Sequence, residues 1–278
     1  MKTLTKLFTL LAFLTLFTTT GTASHLTGGD FAWQCTGPNT FLVTLNLFRD
    51  CSGINAPANA NVNFTSTCGG NFNVTFPLIN PGGTQVSQLC PSQLPQSTCN
   101  GGLLTGNQIY TYQATVVLAP PCPTGSWTMS YSSCCRPGGI INVNGSPGLY
   151  ISAWMNYAVD SCNNSPAFVN SASQYPLQYV CAGTGFNYNF GVSEPDGDSL
   201  RYSLIAARSS ATATVPYATG YSATIPIPGI NLNPASGQIS FNVPLTNGTY
   251  VVSVQVDEYR RCTGEHLSTI HRDIQFVV

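Results

Sequence analysis

Five of the ten acidic residues in this 278-residue chain stand in two short segments, Glu194, Asp196 and Asp198 in EPDGD and Asp257 and Glu258 in VDEYR. Carboxylates gathered that closely repel one another unless a cation or an arginine neutralises them, and oxygen ligands offered by a loop suit Ca²⁺. The two segments are therefore read as a calcium site. A local account competes with it. Pro195, Asp196 and Gly197 make a turn whose acids are solvated, and Glu258 pairs with Arg260 or Arg261. EPDGD is not an EF-hand loop, because its glycine comes too early and the distal bidentate glutamate is missing.

Other chemistry is sparse. The histidines are His25, His266 and His271, and neither a G-x-S-x-G elbow nor an HExxH helix is present. His25 is expected in a frayed terminus and His271 on the exposed face of a strand. Asp196 and Asp198 stand two apart in one turn, whereas glycosidase acids flank a cleft. No catalytic residue is assigned, and binding is the expected activity. Among the aromatics, Trp33, Trp127 and Trp154 fall in strand patterns and are assigned to the core. Tyr175, Tyr217 and Tyr221, in loop-like stretches, are the ligand-binding candidates, since such rings stack on sugars. Tyr250 or Tyr259 suits a corner tyrosine that bonds nearby backbone.

Only 7% of the chain is charged. Both lysines, Lys2 and Lys6, precede the apolar run Leu7 to Phe17, after which Gly21 and Ala23 stand at the minus-three and minus-one places of a cleavage site. Residues 1–23 thus read as a secretory signal peptide, since eleven apolar-rich residues fall short of the ~20 that span a bilayer. Without them, seven arginines face ten acids, a net charge of −3, too few cations to bind nucleic acid. The rest of the chain contains no run apolar enough to cross a membrane, and a secreted, cell-surface location is expected.

Eleven cysteines follow the signal: Cys35, Cys51, Cys68, Cys90, Cys99, Cys122, Cys134, Cys135, Cys162, Cys181 and Cys262. No Cys-x-x-Cys spacing favours zinc, and exported thiols at this density form disulfides. Eleven is odd, so at least one thiol is free or intermolecular. A local Cys90 to Cys99 bridge would tie down the long loop from Asn80 to Gly106.

Gly and Pro punctuate short alternating runs throughout. Phe41–Phe48, Asn61–Thr67, Asn71–Leu78, Ile109–Leu118, Ser126–Ser132 and Leu149–Tyr157 read as strands, and no helical period stands out. After Asp160–Ser165 come Leu177–Val180, Phe186–Phe190, Leu200–Ala206, Gln238–Val243, Thr249–Val256 and Ser268–Val278, with Ala211–Ile230 an irregular crossing. The expected fold is all-β, with two tandem β-sandwich domains: a disulfide-rich one over 24–163 and an Ig-like one over 164–278. In an Ig-like sandwich EPDGD follows the second strand and VDEYR ends the sixth, which puts both at one pole.

Four groups of segments carry a resemblance: SHLTGGD (24–30) with FRDC (48–51), YSSCCR (131–136), NSPAF (164–168) with EPDGDSLRYSL (194–204), and VDEYR (256–260) with HRDIQFV (271–277). In that order they resemble the modules of large secreted surface proteins of Bacteroidota, the gliding-motility-associated or type IX-secreted kind. The resemblance spans nearly the whole chain after the signal. It implies Ig-like or cadherin-like modules, extracellular display, and an adhesive or structural role without catalysis. It also supports calcium at the DGDSL segment. That family places a cysteine after its YSL strand where this chain has Ile205, so Cys181 is expected to lack its usual partner. Cys181 and Cys262 become the candidates for free or intermolecular thiols. Expected partners are surface polysaccharide, other cell-surface or matrix proteins, or further copies of the chain. The alternatives are a lectin-like carbohydrate-binding module and a subunit of an extracellular filament.

Overall fold

The computed structural model describes residues 25–119, 121–169 and 175–278, so the expected signal peptide lies outside the described residues. The chain is all-β, 49% strand and 2% helical. Its strands are β1 (Leu26–Gly37), β2 (Thr40–Asp50), β3 (Asn59–Ser66), β4 (Asn71–Pro77), β5 (Thr84–Gln85), β6 (Asn107–Val117), β7 (Trp127–Ser133), β8 (Leu149–Met155) and β9 (Ala167–Phe168). There follow β10 (Leu177–Tyr179), β11 (Gly185–Asn189), β12 (Val192–Ser193), β13 (Ser199–Ile205), β14 (Asn231–Leu232), β15 (Gln238–Asn242), β16 (Thr249–Tyr259) and β17 (His266–Val277).

The main sheet runs β4-β3-β7-β8-β17-β1-β2-β6-β5, with β16 and then β13 added alongside β17. It curls until Leu78, just past β4, bridges Tyr112 in β6. Smaller sheets, β11-β15-β14 and β9-β12, complete the described chain. Pairing does not stop at residue 163. One edge of β17 takes β16 along nearly its whole length, while its other edge meets β8 at Ser268–Ile270, β1 at Arg272 and β10 at its C-terminal end.

Alternation explains the curl. Phe41, Val43, Leu45 and Leu47 of β2 are buried against Phe64, Trp127, Met129 and Ile151 in the same apolar core, and the polar residues between them face outward. Phe276 anchors a second part of that core, with ring centroids 5.2 Å from Phe241 and 5.7 Å from Tyr188. Tyr250 makes the expected corner bond, its hydroxyl donating to the Thr246 carbonyl at 3.2 Å.

The N-terminal segment is pinned where fraying was expected. The His25 carbonyl accepts the Asp50 N–H, and β1 then crosses the middle of the sheet. Close approach demands the glycines there: a Cβ on Gly28 would sit 2.8 Å from the Asp273 carbonyl carbon.

Arg272 and Asp273, adjacent in HRDIQFV, are both buried and project to opposite faces of β17. The Arg272 Nε donates to Asp30 at 2.8 Å, and its guanidinium lies 4.3 Å from the Phe168 ring centroid. Asp273 pairs with fully buried Arg136 and accepts the Ser253 hydroxyl. The first pair joins β17 to β1 and the second joins β17 to the segment after β7, and removing one partner of either would leave an uncompensated buried charge.

Four disulfides form: Cys35–Cys162, Cys51–Cys99, Cys68–Cys122 and Cys134–Cys135. The long loop is therefore tied by Cys99 to Cys51 at the end of β2, not to Cys90. A bridge across strands restrains more of the unfolded chain than a local one. Cys90, Cys181 and Cys262 are free and exposed.

Candidate binding face

The five clustered carboxylates do not converge. Adjacent residues of a strand project to opposite faces, so Asp257 and Glu258 part company in β16. Asp257 accepts from Gln255 and, at 2.7 Å, from the Thr269 hydroxyl, with His266 Nε2 at 3.4 Å. Glu258 faces inward, fully buried, and accepts from Asn163 at 2.7 Å and Ser268 at 2.5 Å rather than from Arg260 or Arg261. Arg260 instead pairs with Asp160. Burial, with Glu194 and Asp198 adding repulsion, pushes the Glu258 carboxyl up to about 8 against the pull of its two hydrogen bonds.

The EPDGD loop is held by its own acids. Glu194 accepts the N–H groups of Asp196 and Asp198, at 2.8 and 2.6 Å. Asp196 accepts from the Asn164 amide and backbone, and Asp198 from the Arg261 N–H. Asn164 also accepts the Cys35 N–H, while Ser165 and Asn163 bond the backbone and indole of Trp33. Residues 163–165 thus strap EPDGD to β1. Among the described residues, no three His, Cys, Asp or Glu side chains are placed to hold a metal ion. A cleft of about 320 Å³ beneath the strap is lined by Trp33, Gln34, Thr44, Gln113, Asn164 and Pro195.

Six charged residues of the quoted motifs lie inside, while Asp196 and Arg201 are exposed. Asp30, Arg49, Arg136, Glu258, Arg272 and Asp273 are all below 10% exposure. Arg49 donates to the Gln108 side chain and to the carbonyls of Cys51, Gly53 and Ile54, shaping the turn that carries Cys51.

The three candidate tyrosines are partly buried. Tyr175 packs against Phe48, Val86 and Ile109. Tyr217 packs against Ile140, Val143 and Val215, and its hydroxyl accepts the Ala207 N–H. Tyr221 lies 6.1 Å from Tyr250, ring to ring.

What the sequence did not single out is a polar face seven strands wide, the outer side of β4-β3-β7-β8-β17-β16-β13. Residues opposite one another across paired strands share a face. One row of it runs Arg201, Asp257, Thr269, Trp154, Thr128 and Thr65. The next runs Ser203, Gln255, His271, Ser152, Ser130 and Asn63, with Ser152 Oγ 3.2 Å from the His271 ring. Small side chains lie low in these rows between larger, partly exposed ones. Near the C-terminal end of β17 the face is covered, since Ile140, Val143 and Val215 pack over Val251.

Two expectations are corrected on this face. Trp154, assigned to the core, is half-buried on the outside, because β8 turns Leu149, Ile151, Ala153 and Met155 inward. Its ring lies 4.7 Å from that of His266, which lies 5.0 Å from that of Tyr259, making a three-ring stack that runs from Trp154 alongside the row. His271, expected to be exposed, is instead partly covered and bonded to Ser152 and Gln255. Burial brings its ring down to about 4, so it is neutral at physiological pH.

No protein-family model matches the chain, and no curated protein matches its sequence. Among the described residues, no helix is long and apolar enough to cross a membrane.

Proposed function

We propose that this is an exported, non-catalytic surface protein that acts by binding, as an adhesive or structural module of a bacterial cell surface or extracellular matrix. The observation that carries the reading is the broad outward face of hydroxyl, amide and aromatic side chains. Six of the charged residues in the quoted motifs are buried, which leaves this face to uncharged polar and aromatic groups. Four disulfides suit a protein that works in an oxidising exterior. The motif resemblance to secreted Bacteroidota surface proteins supports the same location, and with it an organisation of two tandem sandwiches, the second Ig-like or cadherin-like, that share β17. Ca²⁺ at the EPDGD pole belongs to the same proposal. Its entry requires Glu194, Asp196 or Asp198 to exchange a hydrogen-bond donor for the cation.

Beads coated with the folded protein test the reading. They are expected to attach to bacterial cells bearing their extracellular matrix, and excess soluble protein is expected to block the attachment. Beads that attach no better than albumin-coated ones contradict it.

A further inference from the structure

We propose that the ligand of the outer sheet face is a neutral polysaccharide, seated on the Trp154–His266–Tyr259 stack with its hydroxyls bonded along the two polar rows. This inference rests on the binding role proposed above and names the chemistry of its partner.

The stack offers what a sugar ring needs on its apolar side. Aromatic faces accept the C–H surface of a pyranose, and Trp154 is held in place by His266, whose Nε2 is itself within 3.0 Å of Thr269 Oγ1 and the Ser268 carbonyl. The rows beside it supply the rest. Thr128, Thr65 and Ser203 are uncharged hydroxyls that both donate and accept, which matches sugar hydroxyls and not ions, while Gln255 and His271 are bonded to one another and to Asp257 and Ser152 and hold the rows in place.

Charge excludes the competitors. Within the two rows the formal charges are Arg201 and Asp257, and Asp257 already accepts from Gln255 and Thr269. Beside them Arg208 lies 5.0 Å from the Tyr150 ring centroid and donates to the Ala211 carbonyl, so among the described residues of this face Arg201 and Arg208 are too few cations to hold a uronate or sulfate polymer. A protein partner needs a broad desolvated apolar centre in its interface, whereas here Trp154 is flanked in its row by Thr269 and Thr128 and the neighbouring row is serine, glutamine, histidine and asparagine. Extent favours a chain over a single sugar: seven strands spaced about 4.8 Å apart span roughly 29 Å.

The test is retardation of the folded, oxidised protein in native gels cast with hydroxyethylcellulose, xylan, galactomannan or alginate. At least one neutral polymer is expected to retard it. Trp154→Ala should weaken that retardation about tenfold or more, the loss of a central aromatic anchor. Thr128→Arg, on a partly exposed position of the same row, should do likewise with an unchanged melting temperature, which separates loss of the face from loss of the fold. Retardation by none of the neutral polymers, or by alginate alone, overturns the inference. So does retardation that survives both variants, or that disappears in Tyr217→Ala or Tyr221→Ala instead. The coated beads separate the two levels. Attachment abolished by protease treatment of the cells but not by periodate identifies a protein partner, which overturns the polysaccharide and leaves adhesion standing. No attachment at all removes both.

Discussion

Replacing Glu258 with glutamine should change how the stability of this protein depends on pH, and the change can be worked out from two buried groups on opposite faces of the same sheet. The Glu258 carboxyl is raised from 4.5 to about 8, chiefly by burial. The folded state therefore holds a proton that the unfolded state releases above 4.5, and stability is lost as pH rises through 8. At about 1.4 kcal/mol per pH unit the full loss is about 5 kcal/mol. His271 runs the other way. Burial, opposed by Asp273 and Asp257 and assisted by Arg208, lowers it from 6.5 to about 4. Its neutral form contributes stability that is complete above 6.5 and lost as pH falls through 4, about 3 kcal/mol in all. Between pH 4.5 and 6.5 the two slopes cancel, and from 6.5 to 8 Glu258 acts alone, lowering stability by about 2 kcal/mol. Glu258→Gln keeps acceptors for Asn163 and Ser268 but removes the titration. It should be more stable than wild type at neutral pH, gain stability from pH 4 to 6.5, and stay flat above. His271→Gln should lose stability steadily from pH 4.5 to 8. Urea unfolding followed by tryptophan fluorescence, with disulfides intact, gives these curves. A Glu258→Gln variant that still falls by about 2 kcal/mol between pH 6.5 and 8 refutes the buried protonated carboxyl.

Further outcomes follow from the buried pairs and the thiols. Arg272→Met leaves Asp30 buried without its cation and should cost about 3–5 kcal/mol in urea unfolding, while Asp30→Asn with Arg272→Met should cost less than the two single changes summed; strict additivity would show that the pair is not coupled. If Ca²⁺ tightens the EPDGD loop, chelator lowers the melting temperature of wild type but not of Asp196→Asn with Asp198→Asn, and equal melting of wild type with and without chelator retires the cation. Gln88 bonds Gln178 at 2.8 Å and its carbonyl oxygen accepts the Tyr179 N–H at 3.4 Å, so the segments leading to exposed Cys90 and Cys181 lie side by side. Incubation with glutathione disulfide should join these two thiols, as read by peptide mapping without reduction; recovery of a Cys90–Cys99 peptide would contradict the pairing seen here.

Much of the fold was legible because period-two alternation is a local signal. β2, β6, β8 and β16 fall within a few residues of where their apolar residues place them. β1 was not legible, since Gly28 is explained by the close approach of Asp273 and Asp30 by its pairing with Arg272, both in β17 and more than 240 residues away. Distance in sequence likewise hid the partners of Arg272 and Asp273, which alternation sends to opposite faces, Arg272 to Asp30 and Asp273 to Arg136 and Ser253. The acids of VDEYR parted for that reason too, and strand parity applied to Asp257 and Glu258 would have revealed it. Trp154 is the clearest case. Leu149, Ile151, Ala153 and Met155 already reserved the inner face of β8, leaving Trp154 outside with Ser152. What the sequence could not supply was register across seven strands, which alone gathers isolated serines, threonines and asparagines into one face.

The most direct test of the binding account is covalent footprinting of the intact protein, free and bound to the bacterial cell surface, with oxidation of tryptophan and carbethoxylation of histidine read by mass spectrometry. Protection of Trp154 and His266 on binding, with Tyr217 and Tyr221 unchanged, is the predicted result. Binding that leaves Trp154 and His266 as reactive as in the free protein would contradict it.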